Sequence, residues 1–390
     1  MREGWEYKKL GDVCTIERGG SPRPIADYIT ESADGINWIK IGDAVEGSKY
    51  ILFTKEKIRP EGIKKSRFVH KGDVILSNSM SFGKPYILGI DGCIHDGWLV
   101  LHDNNNTFSK DYLYYVLSSP IMYSNFTQLA VGGVVNNLNS NIVREVVVAI
   151  PPLSTQLSIV SELDKINELI RLKKEQLKDY DNLAQSIFYE MFGDPVVNEK
   201  GWDFKKIGEI GTVERGAGIS KKDFVEDGLP CIHYGQLHTI LGPTTRHHHS
   251  CIPESLLPKY KIAHTNDVIM AITSEDVEGS CKSTAWLGNY DIVIGSDAAI
   301  LHHEQDGTFL SYYTMTKAFF NEKSKYAKGF KVTHISAKEL GKKTLPLPPL
   351  PLQQLFAQRI ELIEQQKAEI QSTIADLETL LASRMQYWFD

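Results

Sequence analysis

Several features that would assign this chain to a common class are missing from its sequence. No window offers the roughly 18 apolar residues that a membrane-spanning helix needs, and residues 1–5 lack the apolar run of a secretory signal peptide. The five cysteines are scattered, odd in number and never spaced as Cys-x-x-Cys, which favours reduced thiols over disulfides or zinc. We therefore expect a cytoplasmic protein.

The short motifs of the main enzyme classes are also missing. The sequence contains no Walker A loop, no Asn-Pro-Pro-Tyr of an adenine methyltransferase, no His-Glu-x-x-His and no Gly-x-Ser-x-Gly. The run His247-His248-His249 suggests a metal, but adjacent histidines do not converge on one ion and no carboxylate or cysteine lies at ligand spacing. We expect neither a catalytic centre nor a metal site in this chain.

The charge of the chain is weakly negative and unevenly distributed. The net charge is −6, yet residues 1–150 and residues 201–346 each carry 17 basic and 17 acidic side chains. The excess of acids lies in 151–200, with 6 basic and 9 acidic residues, and in 347–390, with 3 and 6. Because a neutral domain can still carry a basic face, this composition does not exclude a nucleic-acid partner.

An internal repeat organises the sequence. Residues 4–13 (Gly-Trp-Glu-Tyr-Lys-Lys-Leu-Gly-Asp-Val) recur as 201–210 (Gly-Trp-Asp-Phe-Lys-Lys-Ile-Gly-Glu-Ile), at an offset of 197. The same offset relates the Pro-Pro-Leu sequences at 151–153 and 348–350. Between these anchors the offset drifts, as insertions and deletions in the interior require. The pattern predicts a duplicated scaffold that carries two different recognition surfaces.

Two long helices are predicted after the Pro-Pro turns, over 154–192 and 351–389, because a 3-4 apolar spacing begins there. Each would contain about 39 residues and measure about 58 Å. Helices of this length need a partner to cover their apolar stripe, so we expect the two to pack antiparallel. The predicted pairing positions are Leu163, Ile166, Ile170, Lys173 and Leu177 in the first helix and Ile360, Ile363, Lys367, Ile370, Ile374 and Leu377 in the second.

Specific contacts follow from antiparallel pairing. Ile170 should lie near Ile370, and Leu163 near Leu377. Lys173 and Lys367 occupy stripe positions in otherwise apolar rows. Their stems can pack while the ammonium groups reach solvent or a carboxylate, and we expect them to help set the register of the two helices.

The segments outside the helices have the pattern of mixed α/β domains. Short apolar runs at 73–76, 98–101 and 291–294, separated by Gly, Asn, Ser and Asp, predict strands. Short helices are expected around 112–117 and 312–318.

The predicted fold class is therefore α+β. It consists of two similar α/β domains, 1–150 and 201–346, joined by two long antiparallel helices in a pseudo-twofold arrangement. The helices belong to segments 151–200 and 347–390.

Candidate DNA-binding residues can be chosen from their chemistry, because Arg and Lys contact phosphates and guanine while Asn and Gln read adenine. In the first domain the candidates are Ser21, Arg23, Lys40, Lys64, Lys65, Arg67, Asn78, Ser79, Lys84, Asn136 and Asn137. In the second domain they are Lys221, Lys222, His233, Gln236, Arg246, Lys282, Lys331 and His334. Individually each signal is weak, since a lysine pair is more often a solvated face than a phosphate clamp.

The repeat sharpens the choice, because two divergent readers should differ at matching positions. Residues 39–43 align with 232–236: the apolar and glycine positions are kept, whereas Lys40 is replaced by His233. We expect Lys40 and His233 to read bases, although a tolerant surface position would explain either one equally well. Lys64 and Lys65 are the expected phosphate contacts.

The layout as a whole resembles the specificity (S) subunit of type I restriction-modification systems. The resemblance covers essentially the whole chain. It is carried by Gly-Trp-x-x-x-Lys-Leu-Gly-Asp at 4–12 with its copy at 201–209, by 71–76 (Lys-Gly-Asp-Val-Ile-Leu), and by the module ends at 150–156 and 347–353. Each motif is moderately specific, but their order, repeated twice with a long helix after each, is highly specific.

The resemblance implies a non-catalytic subunit with two target recognition domains, each reading one half of a bipartite DNA site. It also implies two methyltransferase subunits that methylate adenine with S-adenosylmethionine, and two restriction subunits that use ATP and Mg. The sequence departs from the pattern at Asn266, where the first copy has Gly72, and over 274–283.

Two other functional classes stay open on the residues alone. An autonomous tandem-repeat enzyme would need an acid/base pair in both copies, and the best repeated candidates, Glu17 with Glu214 and Asp73 with Asp267, occupy scaffold-like positions. A coiled-coil scaffold protein would leave the two globular segments unexplained.

Overall fold

A computed structural model of the chain describes residues 2–45, 47–78, 82–130, 138–255, 260–325 and 333–390. It contains two compact units, Met1–Lys174 with Ser372–Asp390, and Glu175–Gln371. Each unit holds one globular part and portions of both long helices, so the predicted domain boundaries stay predictions. In the described part of the chain, no helix is long and apolar enough to cross a membrane.

The first unit begins with short strands and ends in a long helix. Its strands are β1 Glu6–Lys9, β2 Cys14–Arg18, β3 Ile29–Thr30, β4 Ile36–Ile39, β5 Tyr50–Ile51, β6 Glu56–Ile58, β7 Arg67–Val69, β8 Val74–Ser77, β9 Pro85–Leu88, β10 Gly92–Ile94, β11 Trp98–Asp103 and β12 Val147–Ile150. Its helices are α1 Leu10–Val13, α2 Lys110–Ser118, α3 Pro120–Ala130, α4 Ser140–Glu145 and α5 Leu153–Phe192, the last of which continues into the second unit.

The second unit repeats this order. Its strands are β13 Phe204–Lys206, β14 Gly211–Arg215, β15 Leu229–Ile232, β16 Thr244–Thr245, β17 Ser250–Ile252, β18 Lys261–Ala263, β19 Val268–Ala271, β20 Thr273–Ser274, β21 Ser283–Trp286, β22 Ile292–Ile294, β23 Ala298–His303, β24 Thr333–His334 and β25 Thr344–Pro346. Its helices are α6 Ile207–Ile210, α7 Tyr234–Thr239, α8 Gly307–Thr314, α9 Lys317–Ser324, α10 Ala337–Leu340 and α11 Leu350–Phe389, the last of which continues into the first unit.

The sheets of the two units correspond. The five-stranded sheet β2-β11-β8-β9-β5 has its counterpart in β14-β23-β19-β21-β16, and β1-β12 has its counterpart in β13-β25. The other large sheet is β3-β6-β4-β10-β7 in the first unit and β17-β15-β22-β18 in the second. The second unit adds the pair β20-β24. The predicted α+β class and the three predicted strands are confirmed.

The central strands β8 and β19 are buried on both faces. Val74 and Leu76 of β8 pack toward the helices, whereas Ile75 packs toward the second sheet. In β19, Val268 and Ile269 divide in the same way. Because successive side chains of a strand point to opposite faces, an uninterrupted apolar run fills both cores at once.

The long helices pack antiparallel within each unit, as predicted. In the first unit Glu162 of α5 forms an ion pair with Arg384 of α11, and farther along α5 Lys174 pairs with Glu378 at 2.8 Å. In the second unit the rings of Phe188 and Phe356 lie 5.6 Å apart. The helices begin one residue earlier than predicted, at Leu153 and Leu350, because the carbonyls of Pro152 and Pro349 already accept hydrogen bonds from the backbone N–H of Thr155 and Leu352.

The predicted pairing positions are largely buried. Leu163, Ile166, Ile170, Ile360, Ile363, Ile370 and Ile374 are buried, and Lys173, Leu177, Lys367 and Leu377 are half-buried. The individual contacts between Ile170 and Ile370 and between Leu163 and Leu377 stay predictions. Lys367 is bound to Asp181 of the partner helix and to Glu364 of its own helix, both at 2.9 Å.

One helix prediction is wrong in its position. The segment 312–318 spans a break between α8, which ends at Thr314, and α9, which begins at Lys317. Thr316 has extended backbone and its side chain accepts a hydrogen bond from the backbone N–H of Phe319, so it caps α9 and prevents a continuous helix.

The departure at Asn266 does not change the backbone. Gly72 has φ +89° and Asn266 has φ +79°, and asparagine is one of the few residues other than glycine that adopt this left-handed conformation readily. The Asn266 side chain also accepts from Gly307 N and donates to Gln305 O. The same turn is thus made with a different residue.

Candidate DNA-contacting surface

Three candidate residues of the first domain lie close together where strands β2, β8 and β10 end. The centre is Asp96, whose carboxylate accepts from Ser21 Oγ at 2.7 Å and lies 3.9 Å from Arg23 Nη2. The Asp96 carbonyl accepts from Asn78 Nδ2 and from Arg18 Nε, both at 2.9 Å. We call this group the first strand-end cluster: Arg18, Ser21, Arg23, Asn78 and Asp96.

The electrostatics of this cluster favour an ionised Asp96. Burial opposes ionisation, but the hydrogen bond from Ser21 and the nearby His95 and Arg18 outweigh it, so the pKa of Asp96 is lowered. The charged carboxylate therefore holds the Ser21 hydroxyl and attracts Arg23, whereas Arg18 is held by the Asp96 carbonyl. Asn78 is buried, and its Oδ1 has no hydrogen-bond partner among the described residues.

The segment 64–67 borders this cluster. The backbone of Gly20 approaches Lys65 so closely that a Cβ on Gly20 would lie 3.0 Å from Lys65 O. Lys64 is exposed, whereas Lys65 Nζ donates to Tyr28 Oη at 2.6 Å. Arg67 points elsewhere and pairs with a Glu17 carboxylate at 3.2 Å.

The second domain places a polar group at the same strand ends, in which Arg215 is the equivalent of Arg18. Arg215 Nε donates to Ser296 O at 2.8 Å and its Nη2 lies 3.8 Å from Asp297. Thr273 Oγ1 donates to Asp297 at 3.2 Å and lies 3.1 Å from His334 Nδ1. We call Arg215, Thr273, Asp297 and His334 the second strand-end cluster. Lys221 and Lys222 are exposed in the loop that follows β14.

Lys84 and Lys282 occupy equivalent hairpin positions. The carbonyl of Lys84 accepts from Ser77 N at 2.9 Å, and that of Lys282 accepts from Ala271 N at 2.8 Å. Both side chains are exposed, and each lines a cavity, of about 820 Å³ in the first domain and 660 Å³ in the second. The equivalence of these two lysines is visible in the structure and not in the sequence repeat.

Lys40 and His233 both stand immediately before a helical turn. The backbone N–H of Lys40 donates to Asp43 Oδ2 at 2.8 Å, and that of His233 donates to Gln236 Oε1 at 2.9 Å. Asp43 and Gln236 therefore perform the same capping task with different side chains. Capping therefore explains why Asp43 in the first copy corresponds to Gln236 in the second.

The side chains of Lys40 and His233 already have partners within the chain. Lys40 Nζ pairs with Glu56 at 2.5 Å. His233 is buried, and its Nδ1 accepts from Gly235 N at 3.1 Å. Burial, with the nearby Lys221, lowers the pKa of His233. These contacts weigh against the expectation that the two residues read bases, which stays a prediction.

Arg246 is directed to a long helix. Its guanidinium pairs with Glu361 of α11 and donates to Leu287 O at 3.2 Å. In the first domain Lys49 pairs at 3.0 Å with Asp164 of α5, which is the repeat equivalent of Glu361. The matching contacts indicate that Arg246 fastens its domain to a helix.

The remaining candidates have simpler outcomes. Ser79, Asn136, Asn137 and Lys331 lie outside the described residues. The Gln236 side chain donates to Ser250 Oγ at 2.9 Å. His248 lies 2.7 Å from Tyr290 Oη, and the described residues contain no group of three His, Cys, Asp or Glu that could hold a metal ion.

Arg18 and Arg215 were missed from the sequence. Both come directly after a glutamate and before a glycine, in the repeated Glu-Arg-Gly at 17–19 and 214–216. The repetition was the available signal, but it indicated scaffold as much as function. Only the structure shows that both arginines lie beside the candidate residues.

Comparison with known proteins gives the same assignment over nearly the whole chain. The family model described as type I restriction modification DNA specificity domain matches residues 2–179 and 199–378. The chain is 22% identical to the MjaVIII specificity subunit of a type I restriction enzyme from Methanocaldococcus jannaschii, covering 93% of this chain and 86% of the relative. It is 23% identical to the MjaIX specificity subunit of the same organism, covering 90% and 85%.

The fold agrees with this relationship. A chain from a solved structure of a type I R-M system superimposes with a TM-score of 0.63 at 20% sequence identity, covering 100% of this chain and 98% of that chain. Two matched domains, the duplicated strand order and the long helix after each domain all agree. The chain belongs to the family of type I restriction-modification specificity subunits and contains two copies of its DNA specificity domain.

Proposed function

We propose that this chain is the non-catalytic, sequence-reading component of a type I restriction-modification complex, and that each domain reads one half of a bipartite DNA target. One observation carries the proposal: the same strand-end cluster occurs in both domains with a shared arginine and different neighbours. Arg18 and Arg215 are alike, whereas Ser21, Arg23 and Asn78 have no identical residues in the second cluster.

The shared and the different residues receive different roles. A contact common to two readers of unrelated sequences must be independent of sequence, and phosphate contacts are of that kind. We therefore assign Arg18 and Arg215 to phosphates, together with Lys64, Lys84 and Lys282. Base reading falls to residues that differ between the clusters, with Arg23, Asn78 and His334 as the leading candidates.

The helices are proposed to bind two methyltransferase subunits. Large apolar side chains remain exposed along both of them, between 38% and 64% of their area: Leu157, Leu169, Leu172, Leu183, Tyr189, Leu355, Leu362, Leu380 and Tyr387. A row of exposed apolar residues on helices that already have a partner is typical of a further interface. Two restriction subunits would complete the complex, which we propose acts in the cytoplasm.

The chemistry is then supplied by the partners. S-adenosylmethionine would be used by the methyltransferase subunits, and ATP with Mg by the restriction subunits. The chain alone should bind DNA weakly, because a net charge of −6 offers no long-range attraction. Full affinity requires partners that enclose the duplex and capture the extruded adenine, whose unstacking costs a few kcal/mol.

Methylation-sensitive sequencing tests the proposal. A strain that expresses the chain with its partner methyltransferase should methylate adenine within one motif made of two fixed halves and an unspecified spacer. The control strain expresses the methyltransferase without the chain and should show no such motif. A continuous motif, or the same methylation in the control strain, would contradict the proposed function.

A further inference from the structure

At six pairs of equivalent positions the two domains carry polar side chains of the same charge type, although the candidate base-reading residues differ. They belong to the strands and turns around β2, β7, β8 and β11, and around β14, β18, β19 and β23. The pairs are Glu17 with Glu214, Arg67 with Lys261, His70 with His264, Asp73 with Asp267, Asp91 with Asp291, and His102 with His302.

In the first domain a histidine lies between two carboxylates. His102 Nε2 is 3.8 Å from Glu17 and its Nδ1 is 3.7 Å from Asp73. Glu17 also pairs with Arg67 of the other sheet at 3.2 Å. Asp73 accepts from the backbone N–H of His70 at 2.8 Å. The histidine therefore joins side chains of neighbouring strands, and the arginine joins the two sheets.

The second domain repeats the arrangement. His302 Nε2 is 3.8 Å from Glu214 and its Nδ1 is 2.7 Å from Asp267. Glu214 pairs with Lys261 of the other sheet, and Asp267 accepts from the backbone N–H of His264 at 2.7 Å. We call each set a histidine bridge: Glu17, Arg67, Asp73 and His102 in the first domain, and Glu214, Lys261, Asp267 and His302 in the second.

Charge balance explains why the ring of His102 should carry a proton. With a neutral ring the first bridge has two carboxylates and one cation, and a protonated ring restores neutrality. The Asp73 carboxylate raises the pKa of His102, although burial partly opposes this shift. In turn, His102 and the N–H of His70 lower the pKa of Asp73 against the effect of burial.

Further groups surround each ring. The charge of Lys110 in α2 helps to lower the pKa of Asp73, and the charge of Arg67 opposes the rise in the pKa of His102. The ring of His264 lies 6.0 Å from that of His302, and His302 acts electrostatically on His303. Glu17, Asp73 and Arg67, with their counterparts, are the charged groups that contact the rings most directly. Around His102 the acids outweigh the cations, which favours protonation of that ring.

The bridges lie next to the proposed DNA surface. Glu17 and Glu214 immediately precede Arg18 and Arg215, and the DNA-contacting loops leave from these strand ends. A displacement of the glutamate would displace the adjacent arginine, since the two share one peptide bond. Apart from Arg67, which is replaced by Lys261, the bridges are made of the same residues in both copies, so they serve a task common to both readers.

We propose that His102 is a positioning residue for DNA recognition, because its protonated ring holds two neighbouring strands together and fixes the end from which the DNA-contacting loop leaves; His302 occupies the same place in the second domain. The proposal rests on the proposed function of the strand-end clusters. It requires that cognate affinity falls when the His102 ring loses its proton, because Glu17 and Asp73 then lose the cation between them.

The sign of the pH effect follows from linkage. A histidine whose pKa is raised in the folded state contributes stability that is present at low pH and is lost as the pH rises through the folded-state value. The affinity of the complex of chain and methyltransferase for its methylated motif should therefore decrease between about pH 6 and pH 9, a range that covers and exceeds ordinary histidine titration.

Variants separate this effect from other titrations in the complex. At the lower end of that range, His102→Gln should weaken cognate binding roughly threefold to tenfold, as expected for loss of a half-buried ion pair. The affinity of this variant should vary less with pH than that of the unaltered complex. His302→Gln removes the contacts of the second ring with Glu214 and Asp267 and should also weaken cognate binding. His102→Arg keeps a permanent cation and should restore affinity at high pH. The matched control is His248→Gln, which removes a histidine outside the bridges and should leave the profile unchanged.

A measurement on the unaltered chain covers the case in which variants fail to fold. The ring carbons of His102 report its protonation by NMR, and this ring should titrate at a pH above free histidine, together with the loss of affinity. A His102 ring that is neutral where binding is strongest, or a His102→Gln variant with an unchanged pH profile, would overturn the proposal. A complex with no sequence preference at any pH would instead contradict the proposed function.

Discussion

The two domains differ most where they would meet DNA and least where they meet their own helices. The buried side chains of Gln156 and Gln353 make the same contacts in both copies. Each accepts a hydrogen bond from the backbone N–H at the start of a short helix, at 2.8 and 3.0 Å, and each donates to a proline carbonyl. Lys49 with Asp164 and Arg246 with Glu361 repeat a second attachment. Duplication has preserved the contacts that dock a reader and altered the reader.

The hairpin cavities show the divergent side. In the first domain aromatic residues line the cavity, among them Phe82, Tyr114 and Tyr123. In the second domain the corresponding cavity is lined by His238, Lys282, Lys317 and Lys323. Aromatic side chains suit contacts with bases, whereas lysines suit contacts with phosphates. Only the lysine at the hairpin, Lys84 or Lys282, is common to both.

The strongest test of the comparison is to exchange one reader. Replacing residues 1–150 by the first domain of another family member should change one half of the methylated motif completely and leave the other half unchanged, because each cluster lies within its own domain. Methylation-sensitive sequencing gives the result directly. Changes in both halves, or loss of the two-part motif, would show that the domains do not read independently.

The conserved attachment should carry the largest effect on stability. Gln156→Ala and Gln353→Ala each leave buried donors and acceptors unpaired, which we expect to cost about 2 to 4 kcal/mol. Hydrogen exchange measured by mass spectrometry should show the loss in the first unit for Gln156→Ala and in the second for Gln353→Ala. Gln366→Ala, on an exposed face of α11, is the control and should change little.

The two strand-end arginines should behave alike. Arg18→Ala and Arg215→Ala should each weaken binding of the assembled complex about tenfold on cognate and scrambled duplexes, and should reduce the salt slope by about one, because each removes a phosphate contact. Lys64→Ala should change the slope in the same way. A loss confined to cognate DNA would make the arginines base readers.

Lys40 provides the contrast within the same titration. If it reads a base, Lys40→Ala should cost about 1–3 kcal/mol on the cognate duplex alone. If Lys40 serves only to pair with Glu56, Lys40→Ala should leave the ratio of cognate to scrambled affinity unchanged. A smaller loss on cognate DNA would therefore also be informative. If Lys40→Ala and Lys64→Ala reduce both affinities by one factor, Lys40 is no reader.

The smallest effect is expected at a helix position where the two copies differ. Lys367 is the repeat equivalent of Ile170, so Lys367→Ile makes the second unit resemble the first. Asp181 and Glu364 would lose a partner but retain access to solvent, and the stability should change by less than about 1 kcal/mol. Chemical denaturation measures this, with Lys178→Ile on an exposed face as control.

The register hypothesis adds a qualitative outcome. Combined Lys173→Leu and Lys367→Leu substitutions should disturb assembly with the methyltransferase even where stability is kept, since buried polar groups can fix register. Normal assembly of the double variant, measured by size-exclusion chromatography with light scattering, would show that the lysines do not set the register.

Local patterns predicted much of the fold. The apolar spacing located both helices to within one residue at their starts, and short apolar runs located three of the strands, because these signals depend on neighbouring residues. The prediction over 312–318 failed since a cap at Thr316, not helix propensity, decides where α8 ends. Residues that act through distant partners were harder to judge: Arg246 and Lys40 had the right chemistry for DNA but bind Glu361 and Glu56.

The sequence by itself determined the duplication, the two long helices, the absence of the common catalytic motifs and the family, because each is expressed in residue order and spacing. Tertiary structure decided which polar residues share a surface. Arg18, Asn78 and Asp96 are far apart in the chain and meet only because antiparallel strands end at one edge of the sheet. The histidine bridges arise in the same way, since hydrogen bonds and ion pairs between strands depend on register, which no single segment encodes.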